Sequence, residues 1–309
     1  MRGISWRTIA WLCVAACLGT SAATAQDKLI HKRVEGRKLV YHTQAKIEQT
    51  LNIAGMDVET KSQVFVHSEH VEGRRAADGT LRETQKVTSM QVELQLPGGL
   101  SVSFDSANPD KPAAIPELEP VLQLFRVTLR TPTTLVYDRN NELQKVEFPP
   151  EALASLDEST RSEFDPEKRK KQFKIEADFL PAEPVKPGDK WERSQESYIG
   201  GGQTFFFQTE YQLTGVVDKN GRKLHRIVPK PLTVSYAMEA NAQSPLKVIN
   251  SELAIADSEG EILFDAVQGI VHTSTQRVRI TGPMTFAING QEFPGKLDLT
   301  IRQKTELQP

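Results

Sequence analysis

Cysteine is nearly missing from this chain: the 309 residues include two, Cys13 and Cys17, both near the N-terminus. The body of the chain therefore has no disulfide and no thiolate for catalysis or metal binding. Neither sign of charge prevails, with 38 Lys and Arg against 40 Asp and Glu for a net charge of -2. That balance excludes the basic field of a nucleic-acid binder and the polybasic face that adheres to anionic membranes. Aromatic residues make up 7% and apolar residues 38%, which suits sheets with one dry and one wet face better than a parallel sheet covered on both sides. Gly-x-Ser-x-Gly and His-Glu-x-x-His are both lacking, so neither a nucleophile elbow nor a zincin helix is present. Gly200-Gly201-Gly202 is not followed by Lys-Ser/Thr and opens a strand, so it reads as a hairpin loop rather than a phosphate cradle. Nothing calls for a cofactor or a metal, and no nucleic-acid partner is expected.

What the N-terminus does have is an export signal. Arg2 and Arg7 precede the apolar run Thr8–Cys17, and Ala23-Thr24-Ala25 supplies small residues around a cleavage point before Gln26. The run is too short to span a bilayer, so residues 1–25 read as a signal peptide and the protein as periplasmic or cell-envelope. Val14-Ala15-Ala16-Cys17 resembles a bacterial lipobox. It leaves a second fate open, in which Cys17 is lipidated and acyl chains anchor the protein to a membrane.

Beyond the leader and a short polar lead-in, the dominant signal is alternation. Leu39, Tyr41, Thr43, Ala45, Ile47, Leu51 and Ile53 fall on odd positions with polar residues between them, the period of a β-strand. Gly55 permits a turn, and Val58, Val64 and Val66 resume the pattern. Met90, Val92, Leu94 and Leu96 predict another strand, and Leu100, Val102 and Phe104 the next. Pro116 to Phe125 has helical spacing, and Glu151 to Leu156 a second helical stretch. The charged run Lys168–Lys171 reads as a solvated helix face. Strand patterns return at Phe205–Val217, Leu224–Val228, Leu232–Met238, Val278–Ile288 and Leu297–Ile301. Asp218–Gly221, Asp257–Gly260 and Asn289-Gly290 read as turns between them.

The stretch Leu180–Trp191, with Pro181, Pro184 and Pro187 before Gly188-Asp189, cannot be helix or central strand. It predicts a junction between two similar β-rich halves, residues 26–178 (with helices near 115–170) and 179–309. The fold expected is mainly β (α+β): long-stranded antiparallel curved sheets with a few covering helices. Phe179–Trp191, Tyr211–Ile227 and Ser101–Asp110 together resemble a domain of unknown function in exported bacterial proteins, frequent in planctomycetes. That resemblance defines no catalytic residues, so it implies none here. At the level of fold the pattern also resembles the half-barrel of periplasmic lipoprotein carriers.

Clusters that look chemical have plainer readings. In His67-Ser68-Glu69-His70, His67 and Glu69 share one strand face and His70 the other, short of the three or four converging ligands that zinc needs. Asp105–Asp110 lacks calcium-loop spacing and reads as an Asx-turn. In Phe205-Phe206-Phe207 the outer two belong to the dry face and Phe206 to the other. The function that suits this architecture is binding of a hydrophobic ligand, such as a lipid or acyl chain, in a concave sheet lined by Tyr41, Ile47, Val92, Leu94, Phe205 and Tyr211. The alternative is an envelope scaffold or protein-interaction module whose halves pack face to face. A hydrolase would require His and carboxylate groups converging from different strands.

Overall fold

A computed structural model describes residues 26–154, 161, 164–200, 203–238, 247–288 and 290–309. Residues 1–25 with Cys17, the end of the helical stretch expected up to Leu156, Gly201-Gly202 and Asn289 lie outside the described residues. The described residues fold as thirteen antiparallel strands in one sheet. In chain order these are β1 (Lys38–Ile53), β2 (Met56–Glu72), β3 (Leu81–Gln95), β4 (Ser101–Asp105), β5 (Thr133–Tyr137), β6 (Leu143–Glu147), β7 (Lys190–Gly200), β8 (Gln203–Lys219), β9 (Arg222–Met238), β10 (Lys247–Ser251), β11 (Ala254–Asp265), β12 (Ile270–Ile288) and β13 (Gln291–Leu307). The spatial order is β6-β5-β3-β2-β1-β13-β12-β11-β9-β8-β7, with β4 beside β3 and β10 beside β12. Among the described residues three α-helices accompany it: α1 (Glu119–Arg130), α2 (Pro150–Leu153) and α3 (Pro166–Ala177).

The long strands follow from the alternation, and the turns from residues that tolerate positive φ. Ala54-Gly55 (φ 50° and 85°) closes β1 onto β2, and Asn220-Gly221 (φ 55° and 75°) closes β8 onto β9, the backbone shape of a two-residue hairpin. Ile288 faces Gln291 across the β12–β13 hairpin. Asp105 ends β4 in an Asx-turn, its Oδ1 accepting from Ala107 N at 2.8 Å.

Two expectations change. No turn breaks the chain at Asp257–Gly260, because β11 runs through it. A bulge after Ile255 keeps these residues paired with β12. Gly260 is there for space: a Cβ at that position would sit 2.7 Å from Cγ of Pro229 on β9. The second is β9, one strand rather than two. Pro229 and Pro231 fit because β9 pairs with β11 only over His225–Ile227, so their missing N–H groups cost no ladder bond on that side.

The sheet curls on itself. Phe205 on β8 packs in one cluster with Val278, Ile280 and Phe286 of β12, Leu297 and Leu299 of β13, and Ile47 of β1, although β8 and β13 are several strands apart in the sheet. A second cluster, around Phe264, Leu213, Ile227 and Tyr211, takes in Leu29 from the lead-in and Phe179, Leu180 and Val185 from the proline-rich stretch. Val185 also bridges to Asp27 through two backbone hydrogen bonds of 2.7 and 2.9 Å. Each large apolar side chain fully buried here contributes about 1.5–3 kcal/mol. α1 covers β3 and β4 through Leu122, over Met90, Val92, Val102 and Phe104.

α3 touches both β6 and β7, the opposite edges of the sheet, and so straps the curl across its open side. Asp165 caps it by accepting from Lys168 N at 2.8 Å, and Lys171 pairs with Glu196 of β7 at 2.7 Å. None of its residues is buried. No described helix is long and apolar enough to cross a membrane.

Candidate functional site: a covered cavity with a charged wall

The inward stripe of α3 is Arg169, Gln172, Phe173, Glu176 and Ala177, the i, i+3, i+4, i+7 and i+8 positions of one helix face. Phe173 reaches the cluster of Leu81, Leu135 and Tyr137, and Lys174 and Ile175 beside this stripe also line the space below. With two large apolar side chains among the mostly polar residues it turns inward, and none of them buried, the helix leaves the sheet beneath it unfilled. Two cavities lie there, of about 840 Å³ and about 540 Å³, with Ile175, Glu176, Phe179, Val271 and Ser274 common to both walls. Both volumes fall in the range of small-molecule sites, about 300–1,000 Å³.

The larger cavity has a charged wall built from β2, β3, β5 and the lead-in. Along β2 the inward positions beyond Val66 are Ser68, His70 and Glu72. On β3 an extra residue between Val87 and Ser89 forms a bulge opposite His67. The bulge reverses the phase of β3, so Leu81 and Glu83 face inward on one side of it, and Met90 and Val92 on the other. Glu83 thereby lands diagonally across from His70, whose direct partner is Gln85.

The wall is held by hydrogen bonds. Arg37 donates to both oxygens of the buried Glu72, each at 2.8 Å, and Val34 N donates to the same carboxylate at 2.8 Å. Arg33 lies over the ring of Tyr137 at 4.3 Å and donates to its hydroxyl at 2.8 Å. Arg33 Nη1 is 3.5 Å from both Glu72 and Glu83. Glu83 Oε1 accepts from Gln85 at 2.8 Å and faces His70 Nδ1 at 3.2 Å. His70 Nε2 is 3.1 Å from Ser68 Oγ. Arg33 Nε and Glu83 Oε2 are buried without a hydrogen-bond partner among the described residues.

These surroundings set the charges. Burial alone would raise the Glu83 carboxyl, but the His70 hydrogen bond, the Arg33 charge and the Gln85 hydrogen bond hold it at about 2, so it is ionised at neutral pH. Burial, reinforced by Arg33, lowers His31 to about 4. Neutral His31 therefore donates from Nε2 to the carbonyl oxygen of Ala177 at 3.1 Å. Tyr41 is pushed up to about 12, by burial first and then by Glu83, and stays a hydroxyl donor. Glu176 hangs into the space shared by both cavities and makes no hydrogen bond or ion pair among the described residues. Desolvation by the surrounding walls raises its pKa against the pull of Arg169, although the side chain stays in contact with solvent.

Of the residues expected to line a ligand face, Tyr41 lines the larger cavity and Tyr211 the smaller. Phe205 and Ile47 pack in the filled β8–β12–β13 cluster, and Val92 and Leu94 pack beneath α1. Inward positions of β1 thus border a void at Tyr41 and Thr43 and a filled core from Ile47 onward. In the His67–His70 run, His67 stacks on His42 with ring centres 3.6 Å apart, and Glu69 pairs with Lys38 at 2.5 Å, both away from the cavity. No cluster among the described residues has the makings of a metal site. Arg33, Arg37, Glu72 and Glu83 were not legible as site residues. The available signal was polar residues on strand positions whose neighbours along the same face are apolar.

No family model and no curated protein matches the chain. Among solved structures it is similar to lipovitellin, described for its lipid–protein interactions, at TM-score 0.44 and 11% identity over 90% of this chain and 26% of that one. It is also similar to OccK5 (OpdH) of Pseudomonas aeruginosa, at TM-score 0.27 and 8% identity over 90% of this chain and 100% of that one. A third is a DUF1329 family protein from Desulfovibrio piger, at TM-score 0.11 and 9% identity over 84% of this chain and 83% of that one. This chain spans about a quarter of the lipovitellin chain it matches, and nothing about ligand or activity is carried over from any of the three.

Proposed function

We propose that this is an exported cell-envelope protein that binds a hydrophobic or amphiphilic small molecule, of the lipid or acyl-chain class, inside the curl of its sheet. The observation that supports this reading most is the pair of adjoining cavities under α3. They are roofed by a helix with no buried residue, which therefore holds little apolar area in place. Apolar walls from Leu39, Leu135, Ile270 and Val271 face a wall of buried charge, the arrangement that suits a ligand with an apolar body and a polar end. The scaffold reading draws support from Ile47, Val92, Leu94 and Phe205, which pack in filled clusters.

The two are separated by titrating the purified protein with N-phenyl-1-naphthylamine, a neutral hydrophobic fluorophore. The binding reading expects saturation at one probe per chain with the near-UV circular dichroism of the folded protein unchanged. Ser274→Phe, placed in the wall common to both cavities, should weaken binding by about tenfold or more through lost volume. No saturable binding to folded protein would leave the scaffold.

A further inference from the structure

We propose that Ser68, His70 and Glu83 form a serine-type hydrolytic site in the wall of the larger cavity, acting on carboxylic esters with an apolar acyl chain. The proposal rests on the cavity being a ligand site. The three side chains meet in the order such chemistry needs. Ser68 Oγ is 3.1 Å from His70 Nε2, and His70 Nδ1 is 3.2 Å from Glu83 Oε1, both within reach for proton transfer. For neutral His70, an ionised Glu83 sets the tautomer. An ionised carboxylate can only accept, so Nδ1 carries the proton and donates to Glu83. That leaves Nε2 bare to accept the Ser68 hydroxyl. A nucleophile, a base and a group that orients the base are recognised by this geometry, whatever the fold or the chain order.

The surroundings fit the roles. All three residues line the same cavity. Glu83 is almost fully buried and is also held by Gln85 at 2.8 Å, so it acts as a positioning residue. Tyr41 lies directly opposite Ser68 in the β1–β2 register, and its ring meets His70 edge-on at 5.1 Å. Its hydroxyl makes only a long contact, 3.4 Å, to the carbonyl oxygen of Val271. It is the donor at hand for an oxyanion forming beside Ser68. The β3 bulge at Thr88, needed to turn Glu83 inward, is a feature that recurs next to active sites.

The reaction balances without any further reagent. Ser68 Oγ bonds to the ester carbonyl carbon as its proton passes to His70 Nε2. The carbon–alkoxy bond then breaks, and the alkoxide takes that proton and leaves as the alcohol. Water next attacks the acyl-serine carbonyl, giving a proton to Nε2. Ser68 Oγ departs with that proton, and the carboxylic acid is released.

The test uses purified protein, p-nitrophenyl decanoate as substrate and a fluorophosphonate as covalent probe. Turnover should be measurable. Ser68→Ala should bring kcat/KM to the background of buffer, and His70→Gln should lower it by about 10²–10⁴-fold. The fluorophosphonate adduct should map to Ser68 by peptide mass spectrometry, which needs no variant. Glu83→Gln should lower kcat with little change in KM and shift the pH–rate profile, which a purely structural role would not do. Hydrolysis undiminished by Ser68→Ala overturns the proposal. So does the absence of turnover and adduct in protein that still binds N-phenyl-1-naphthylamine. Loss of that binding in the unmodified protein removes the ligand-site reading as well.

Discussion

Glu83 makes the charged wall testable through stability alone. In the fold its carboxyl titrates at about 2, against an ordinary value of 4.5. At 1.36 kcal/mol per tenfold this is about 3 kcal/mol of stability at neutral pH. The sign follows from proton counts. Between these two values the unfolded chain binds the proton and the folded one does not, so stability rises with pH there. The contribution is complete above 4.5, falls to about half at pH 3, and is gone below about 2. Glu83→Gln keeps the shape, removes the charge, and leaves Arg33 and His70 without their shared partner. Breaking a buried pair by deleting one member typically costs about 3–5 kcal/mol, in agreement with the linkage figure. The assay is urea unfolding followed by Trp191 fluorescence. Trp191 is the only tryptophan after residue 25, and it stacks on Tyr211 at 5.9 Å in the core. The difference between the two proteins should be about 3 kcal/mol at pH 7 and should halve by pH 3. A difference that does not change over this range would falsify the account of the wall as a held carboxylate.

Two further substitutions probe the site's frame. Glu176→Gln should leave stability at pH 7 unchanged or raise it slightly, because desolvation raises the pKa of this carboxyl and works against the charged form while the side chain stays in contact with solvent. Any gain should shrink as pH falls towards 4.5 and the native carboxyl takes up its proton, as read by the same urea titration at pH 7 and pH 4.5. Gly269→Ala should cost at least about 1–2 kcal/mol. Gly269 has φ +68°, and a Cβ there would lie 2.3 Å from Lys32 N. Displacing the lead-in also moves Arg33, so thermal melting should report a lower Tm together with weaker binding of the naphthylamine probe.

Much of the sheet was legible because its signal is local. β1, β8 and β13 show an uninterrupted period of two, and the Asn220-Gly221 hairpin carries residues that tolerate positive φ. β3 was legible only from Met90 onward, because the bulge reverses its phase and hides Leu81, Glu83 and Gln85 from a pattern search. The turn expected at Asp257–Gly260 misread a glycine that makes room for Pro229. The lead-in reads as polar and basic, yet it buries Leu29 and delivers His31, Arg33 and Arg37 to the site.

The sequence by itself determined the secondary structure class, the antiparallel hairpins and the absence of thiol chemistry in the body of the chain. Those depend on side-chain periodicity, turn residues and composition, all properties of near neighbours. Tertiary structure alone decided that the sheet curls until β8 meets β12 and β13, that α3 straps its two edges, and that Ser68, His70 and Glu83 meet. These contacts join residues whose spacing along the chain carries no period, and they depend on sheet curvature and on one inserted residue in β3. A one-residue shift of phase moves every following side chain to the other face, and here it carries Glu83 from solvent to the cavity wall.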